Sequence, residues 1–302
     1  MKKLISTLIF TLIIATVSIF AFVPINNVSE SNLTNWMSEV DDSYHVRELS
    51  IPGTHDSGAT HSIADVAGKC QDLTIKEQLT IGVRFFDIRL QMYNNEFRLV
   101  HDFLDQKLSF DSVVNDFVSF LKQYPSEFLI VSIKKDYDDY NSSISFETLF
   151  RSYFENNEEY ISYMNYIPLT VKECRGKIHI IDRYGMDIGV PGYYWRDNDV
   201  FENDDLKVQD YYCIDNIEEK IKYISDTINY SKNNFDKLTL NFTSCYLDNG
   251  FPPLYAGTTA KYINLALKEM LKEENLKADH LGIMIIDYIS SDLTSLIIGG
   301  NF

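Results

Sequence analysis

Ile51-Pro52-Gly53-Thr54-His55-Asp56-Ser57-Gly58 is the segment around which the rest of this 302-residue chain is organised. The residues before it, Val46 to Ile51, predict a short strand, and Pro52-Gly53 predicts the end of that strand. The small polar residues that follow surround one imidazole and one carboxylate, which is how a catalytic histidine is presented at a strand end. The alternative interpretation is a tight turn with an incidental His-Asp pair.

Downstream of this segment, apolar strand patterns alternate with amphipathic helix patterns. Such alternation implies a mostly parallel sheet, and seven or eight strands in one α/β domain favour a closed (β/α) barrel of the TIM type. A doubly wound open sheet is the alternative. We predict strands at 46–51, 81–90, 97–101, 127–134, 177–183, 207–212, 237–243 and 281–289, and helices at 30–45, 109–123, 144–158, 216–230 and 258–274.

Ionisable residues recur at the carboxyl ends of these predicted strands. Active sites of (β/α) barrels lie at this end of the barrel, and six such residues at six strand ends are hard to explain as separate accidents. An open sheet would give a similar pattern, so the placement indicates a site more strongly than it indicates closure. The six residues are His55, Arg89, His101, Lys134, Arg183 and Asp287.

The composition excludes one class of function. The formal net charge is −17, so the chain would repel the phosphate backbone of a nucleic acid. Hydrophobic residues make up 45% of the chain, which is ample for a buried core. Because the overall charge is negative, any anionic substrate must be held by a few local cations rather than by overall charge.

Residues 1–28 are expected to be a leader. Two lysines precede an apolar run from Leu4 to Val23, which is the pattern of an export signal. The run is almost long enough to span a bilayer, so an uncleaved anchor is the alternative to cleavage near Ala21. We therefore expect a secreted protein, or one retained at the cell surface, with a single catalytic barrel over residues 29–302. The four cysteines have neither zinc-site spacing nor the density of a disulfide scaffold, which predicts mostly buried thiols.

Two histidines at different strand ends, with carboxylates nearby, suit the cleavage of a phosphodiester. One imidazole can take a proton from an attacking hydroxyl group while the other gives a proton to the leaving oxygen. His55 and His101 each need a partner to fix the tautomer, and Asp56 and Asp287 are available for that. Arg89 can place planar donors on the charge that grows on the phosphoryl oxygens.

A metal site is the rival interpretation of the same residues. His55, Asp56, Asp87 and His101 are all ligand types. A guanidinium at Arg89, beside Asp87, would repel a divalent ion. The pattern therefore favours chemistry without a metal.

These motifs resemble those of the bacterial phosphatidylinositol-specific phospholipases C, the X-domain family. The most specific pieces are Ser50 to Gly58 and Phe86-Asp87-Ile88-Arg89, and the pieces occur in family order over nearly all of the chain after the leader. The resemblance implies an irregular (β/α)8 barrel, and we expect a monomer that contacts membranes transiently. The other matching pieces are Leu99-Val100-His101, Tyr124-Pro125-Ser126-Glu127, Ser132–Lys135, Arg175–Lys177, Arg183-Tyr184, Val208–Asp210, Asn241–Ser244 and Ile286–Ile289.

The resemblance implies a reaction in which the inositol 2-hydroxyl group attacks the phosphorus. The products would be diacylglycerol and inositol 1,2-cyclic phosphate, and slower hydrolysis of the cyclic ester would follow. Three substrates remain open: phosphatidylinositol, a glycosylphosphatidylinositol (GPI) anchor and a soluble glycerophosphoinositol.

The resemblance also implies roles for the matching residues. His55 would be the general base, with Asp287 orienting it. His101 would be the general acid, assisted by Asp56. Arg89 would hold the phosphate where calcium-dependent relatives have a carboxylate ligand, so that no metal cofactor is expected. The inositol ring, as the headgroup of the lipid or as free inositol or inositol phosphate, would be held by Lys134, Arg183, Asp210 and Tyr212.

Two features depart from the family pattern. Asp102 follows His101 where the family usually has glycine, and its charge is expected to raise the pKa of His101. Family members often dock on membranes through exposed tryptophans on rim loops, whereas this chain has only Trp36 and Trp195. Candidate substitutes on the rim are Phe103-Leu104 and Phe251 to Tyr255, which are equally consistent with a core position.

The remaining polar residues are expected to be structural or exposed. The acidic runs Asp136 to Asp139 and Asp197 to Asp205 predict solvated loops. Two other functions stay open: a metal-dependent glycerophosphodiester phosphodiesterase, and a surface protein that binds inositol phosphate without turnover. The histidines expected to lie outside the site are His45, His61, His179 and His280.

Overall fold

The computed structural model describes residues 33–62, 68–247, 255–272 and 279–302. The predicted leader, residues 1–28, lies outside these ranges, as does most of the rim segment 251–255. Among the described residues, no helix combines the length and the apolar character that crossing a bilayer requires.

The strands overlap nearly all the predicted positions, but the prediction for 46–51 was largely wrong, because Val46–Glu48 form a 3₁₀ turn and the strand begins at Ser50. The fourteen described strands are β1 (Ser50–Thr54), β2 (Phe85–Tyr93), β3 (Glu96–His101), β4 (Leu104–Ser109), β5 (Leu129–Lys135), β6 (Ile161–Ser162), β7 (Ile178–Asp182), β8 (Val190–Pro191), β9 (Val200–Glu202), β10 (Leu206–Gln209), β11 (Cys213–Ile214), β12 (Leu238–Phe242), β13 (Tyr246–Leu247) and β14 (Gly282–Ile286).

Most helices pack against the outer face of the sheet, whereas Val171 and Cys174 belong to the cluster inside the barrel. Four of the predicted helices are present, although the one predicted at 144–158 is shorter. The described helices are α1 (Ile75–Thr80), α2 (Phe110–Gln123), α3 (Phe146–Ser152), α4 (Val171–Cys174), α5 (Ile217–Ser231), α6 (Ala256–Lys272) and α7 (Ser291–Ile298), with 3₁₀ turns at Trp36–Glu39, Val46–Glu48, Glu158–Tyr160 and Gly299–Asn301.

The sheet is that of an irregular α/β barrel, as the resemblance implied. Strands β7, β5, β2, β1, β14, β12 and β10 are parallel neighbours in that order, so the first and last strands of the barrel are adjacent. The order is not that of the doubly wound alternative. In the described residues the ladder is interrupted between β8 and β9, where the Asn203 side chain donates to the Pro191 carbonyl at 2.8 Å.

Strand β1 continues through Pro52 and Gly53, so the predicted end of the strand there was wrong. Pro52 is paired with Met284 of β14, and its carbonyl accepts a hydrogen bond from the Arg84 amide at 2.9 Å. Gly53 faces the barrel interior, and a Cβ there would lie 2.9 Å from Cβ of Phe85. Both residues are therefore part of the strand and do not end it.

The predicted N-terminal helix at 30–45 is also corrected. In its described part, only Trp36–Glu39 forms a helical turn, of the 3₁₀ type. Trp36 and Met37 are fully buried, as expected of its apolar anchor, and they close the amino-terminal end of the barrel.

A buried ion pair stabilises that closed end. The guanidinium of Arg84 donates from both Nε and Nη2 to one carboxylate oxygen of Glu127, at 2.9 and 2.7 Å, and neither side chain is exposed. Arg84 also donates to the Thr34 carbonyl, and the Met37 amide donates to Glu127. The pair therefore joins β2, β5 and the N-terminal segment.

We predict that Glu127→Gln lowers the free energy of unfolding by about 3–5 kcal/mol, because it leaves a buried guanidinium without its counter-charge. Urea unfolding followed by circular dichroism measures this loss. The matched control is Glu147→Gln, which removes a half-exposed partner of Arg151 and should cost less than about 1 kcal/mol. Equal losses in the two variants would contradict the role assigned to the buried pair.

Candidate active site

The inward faces of the barrel strands change from apolar to ionisable towards their carboxyl ends. Side chains two residues apart share one face of a strand, so Phe85, Asp87 and Arg89 of β2 all point inward. The first is part of the apolar cluster that fills the barrel, and the other two lie above it. On the other barrel strands the inward-facing side chains change from apolar to ionisable in the same way. The ionisable residues there are His55 after β1, Lys134 on β5, Arg183 after β7, Asp210 after β10 and Asp287 after β14.

His55 lies between a carboxylate and a guanidinium. Its Nδ1 is 2.8 Å from Asp287 Oδ1, and its Nε2 is 2.8 Å from an Nη2 of Arg89. A guanidinium only donates, so Nε2 carries the lone pair and the ring proton is on Nδ1, facing Asp287. His55 is therefore held in the tautomer of a base, with an Nε2 lone pair that accepts a hydrogen bond from Arg89.

His101 forms the second pair. Its Nδ1 is 2.6 Å from Asp56 Oδ2. Burial lowers the pKa of His101, but the hydrogen bond to Asp56 and the charge of that carboxylate outweigh it, so the pKa is raised. The protonated imidazole is therefore favoured over a wider pH range than in an ordinary histidine.

His101 reaches the site by a different route from the one predicted. It ends β3, which is antiparallel to β2 and pairs Leu99 with Leu90, so the chain returns to the level of Arg89. The rule for carboxyl ends of parallel strands therefore does not explain its position. Asp102, the next residue, has a φ of 49°, a left-handed conformation that favours glycine, the residue that the resemblance leads one to expect there. Its charge raises the pKa of His101 as expected, although it contributes less than Asp56.

Arg89 is surrounded by acidic groups. Its Nε is 3.2 Å from Asp87 Oδ2 and 3.8 Å from Asp56 Oδ2, and its Nη1 is 3.7 Å from Asp136 Oδ2. Burial disfavours the charged guanidinium, but these carboxylates raise the pKa of Arg89 well above its ordinary value. Burial also raises the pKa of Asp87, yet Arg89 and Arg183 bring it down to about 2. The groups therefore form one ionised network.

Lys134 and Arg183 are two further cations near the cavity. Lys134 Nζ is 3.0 Å from Asp136 Oδ1, and the Arg183 guanidinium stacks 3.6 Å from the centre of the Trp195 ring. Trp195 Nε1 donates to Asp210 Oδ2 at 3.1 Å. Burial raises the pKa of Asp210, although Arg183 opposes it.

These side chains enclose a cavity of about 540 Å³. Tyr212 lines it as a half-buried ring, 5.9 Å from the ring of Tyr246. The side chain of Arg183 is only 3% exposed and lies against Trp195. Arg183, predicted as a site residue, is therefore not among the residues that line the cavity; the ionisable lining residues include His55, Arg89, His101, Lys134, Asp210 and Asp287.

Three residues of this site were missed or misassigned from the sequence. Asp136 was predicted in a solvated loop, but its side chain is 4% exposed and bridges Arg89 and Lys134. Asp87 was named only as a ligand in the rival metal interpretation, and Trp195 was not predicted to contact the site. For Asp87 and Asp136 a signal existed, since Asp87 is two residues from Arg89 on the same face of β2 and Asp136 is two residues from Lys134, directly after β5. Asp197 is exposed, as predicted, yet it lies 3.4 Å from Lys134 Nζ.

The four remaining histidines lie outside the site, as predicted. His179 is buried and burial lowers its pKa to about 4, so it is a neutral structural residue. All four cysteines are free, and only Cys213 is partly exposed.

The rim of the cavity carries exposed apolar surface. Phe103 is 67% exposed and Tyr255 is 39% exposed, and both line the cavity mouth. Trp36 and Trp195 are buried, so neither is a rim residue.

Comparison with known proteins agrees with this geometry. Residues 49–184 match the family model described as phosphatidylinositol-specific phospholipase C, X domain. A 1-phosphatidylinositol phosphodiesterase from Staphylococcus aureus is 33% identical, and the match covers both chains completely. A solved variant of the phosphatidylinositol-specific phospholipase C from S. aureus has a TM-score of 0.81 and 30% identity, covering 90% of this chain and 99% of that chain. The fold is shared by the enzyme from Listeria monocytogenes, with a TM-score of 0.74, 24% identity and coverage of 88% and 98%.

We predict that Asp56→Asn lowers the pKa of His101, because the ionised acceptor of its Nδ1 proton is lost. Histidine-labelled NMR titration measures the change directly. Asp102→Asn is the control, and it should lower the pKa less because Asp102 acts only through its charge. An unchanged or higher pKa in Asp56→Asn would contradict the pairing.

Proposed function

The chain belongs to the phosphatidylinositol-specific phospholipase C family, and on that premise we propose that it cleaves phosphatidylinositol by transfer of the phosphoryl group to the inositol 2-hydroxyl. The observation that carries this proposal is the presence of two His-Asp pairs, with Arg89 hydrogen-bonded to one and close to the other. Such an arrangement can take one proton and give another in the same step.

His55 is the general base in this proposal. Its Nε2 lone pair accepts the proton of the 2-hydroxyl group as that oxygen bonds to phosphorus. Asp287, at 2.8 Å from Nδ1, keeps the ring in this tautomer and stabilises the imidazolium that forms. The substrate hydroxyl takes the place next to Nε2 that Arg89 holds here.

His101 is the general acid. Its raised pKa favours the protonated ring, which gives its Nε2 proton to the diacylglycerol oxygen as the bond from that oxygen to phosphorus breaks. The step yields diacylglycerol and the 1,2-cyclic phosphate, with a proton on His55 and none on Nε2 of His101. The reverse roles then let His101 activate water and His55 protonate the 2-oxygen, which hydrolyses the cyclic ester more slowly.

Arg89 supplies the positive charge, and its N–H group turns from Nε2 of His55 to the phosphoryl oxygens when substrate binds. The three carboxylates around it keep it ionised and orient it between the two imidazoles. A phosphoryl group there receives planar N–H donors as its charge grows. The guanidinium occupies the space between Asp56 and Asp87 where a divalent ion would need to lie, and this supports turnover without a metal.

The inositol ring is proposed to lie between Lys134, Asp210 and Tyr212. Ammonium and carboxylate groups match the donors and acceptors of a polyol, and an aromatic ring covers its apolar face. Arg183 is buried behind Asp210, with its Nη2 3.9 Å from Asp210 Oδ2. We therefore assign Arg183 to orienting that carboxylate as well as to binding hydroxyl groups. Asp136 joins this set because it holds both Lys134 and Arg89.

The location of the protein and its contact with membranes are part of the same proposal. The apolar run from Leu4 to Val23 supports export, with residues 29–302 acting outside the cytoplasm. The exposed rings of Phe103 and Tyr255 at the cavity mouth support transient contact of a monomer with lipid. A GPI anchor carries the same inositol phosphate headgroup and is proposed as a second substrate.

We predict that His55→Ala and His101→Ala each lower kcat on phosphatidylinositol by at least about 10²-fold, the usual scale of a proton-transfer contribution. Asp287→Asn should lower it less, because the base itself remains. His61→Ala, an exposed histidine outside the site, is the control and should leave kcat unchanged.

A nitrophenyl ester of inositol phosphate separates the two roles. Its leaving group needs no proton, so His101→Ala should recover most of the wild-type rate on this substrate whereas His55→Ala should not. Near-normal turnover of phosphatidylinositol by either variant would remove that histidine from the mechanism.

A further inference from the structure

Cys70 lies in the floor of the cavity between the two His-Asp pairs. It is 1% exposed, and its Sγ is 3.7 Å from Nδ1 of His101. The backbone on both sides is fixed, since the Cys70 amide donates to the Ala59 carbonyl and its carbonyl accepts from the Tyr288 amide, each at 2.8 Å. The mechanism above gives this thiol no role.

Cys70 completes two groups of metal-ligand type. One consists of His55, Cys70 and Asp287, the other of Asp56, Cys70 and His101, and within each group the ligand atoms lie within 4.8 Å of one another. A tetrahedral zinc ion holds its ligand atoms about 3.5 Å apart, so only small side-chain movements are needed.

An unpaired carboxylate oxygen distinguishes the first group. Asp287 is 2% exposed and lines the cavity, and its Oδ2 has no hydrogen-bond partner among the described residues. A buried carboxylate oxygen without a donor is costly, and a cation or a proton removes that cost. The oxygen therefore marks the place at which a cation would bind beside Cys70.

We propose that Cys70, His55 and Asp287 form an inhibitory site for a thiophilic divalent metal ion such as Zn²⁺. Thiolate and imidazole ligands select zinc over calcium or magnesium. On binding, the thiol gives its proton to solvent and the metal takes Nδ1 of His55. The ring proton displaced from Nδ1 moves to Nε2 and ends the hydrogen bond that Nε2 accepts from Arg89. Nε2 can then no longer accept a proton from a substrate hydroxyl.

The charges around the site favour a cation in spite of Arg89. Burial and the carboxylates of Asp287 and Asp56 raise the pKa of the Cys70 thiol well above its ordinary value, which opposes the thiolate in the absence of metal. The same negative charges attract a metal ion, and a metal ion deprotonates a thiol that coordinates it. Arg89 contacts Nε2 of His55, the edge of the ring opposite Asp287. The guanidinium and the proposed ion therefore lie on different sides of the imidazole.

Cobalt binding to the purified full chain tests the site without depending on turnover. Equimolar Co²⁺ should give a thiolate-to-cobalt charge-transfer band in the near ultraviolet, and Zn²⁺ should abolish it. The band should be lost in Cys70→Ser and in Cys70→Ala. Cys245→Ser is the matched control, because Cys245 is buried and lines the same cavity but belongs to neither ligand group, and it should keep the band.

Inhibition of phosphatidylinositol cleavage provides the second readout, and it rests on the proposed function. Zn²⁺ should inhibit the wild type and Cys245→Ser alike, with EDTA reversing the effect, and Cys70→Ser should need at least about tenfold more zinc. A wild type without the cobalt band, or a band that persists in both Cys70 variants, would overturn the site. Equal zinc sensitivity of Cys70→Ser and wild type would overturn its inhibitory role. Absence of turnover with an intact cobalt band would instead count against the proposed function alone.

Discussion

The arrangement of the cavity depends on one buried cation, the guanidinium of Arg89. It donates to Nε2 of His55, lies against the carboxylates of Asp87 and Asp56, and faces Asp136 across the floor. Without it, three carboxylates would be close together in a buried space, and their mutual repulsion would raise their pKa values and loosen the imidazoles they hold. The charge that binds phosphate in our proposal is thus the charge that orients the base and the acid.

Strand β2 and the residue before it carry two arginines with different roles. Arg84, five residues before Arg89, is fully buried and satisfied by Glu127 and backbone carbonyls, so it stabilises the closed end of the barrel. Arg89 extends from the same strand into a cavity and keeps one edge free for a ligand. A strand anchored firmly at one end can hold a functional side chain precisely at the other, which is what proton transfer over short distances requires.

The sequence predicted the barrel and most of the site for a physical reason. Parallel strands align their carboxyl ends, so ionisable residues at those ends converge whatever the loops do. That rule placed His55, Arg89 and Asp287 correctly, but it reached His101 only by coincidence, because an antiparallel hairpin returns that residue to the same level. The run beginning at Asp136 resembled a solvated loop because composition does not show which of its carboxylates faces two cations.

The irregular part of the barrel was beyond prediction from local patterns. Trp195 lies in the loop-rich stretch between β8 and β9, and its position against Arg183 and Asp210 follows from tertiary packing rather than from any period in the sequence. Pro52 is a second case, since its pairing with Met284 inside β1 is set by the neighbouring strand β14 and not by its local sequence.

Phosphorus NMR of the purified protein acting on phosphatidylinositol in zwitterionic detergent micelles, with EDTA present throughout, tests the central claim most directly. The account predicts that inositol 1,2-cyclic phosphate is the first product and that it is converted slowly to inositol phosphate. A linear inositol phosphate formed without the cyclic precursor, or turnover that begins only when calcium is restored, would contradict the roles assigned to the two histidines and to Arg89.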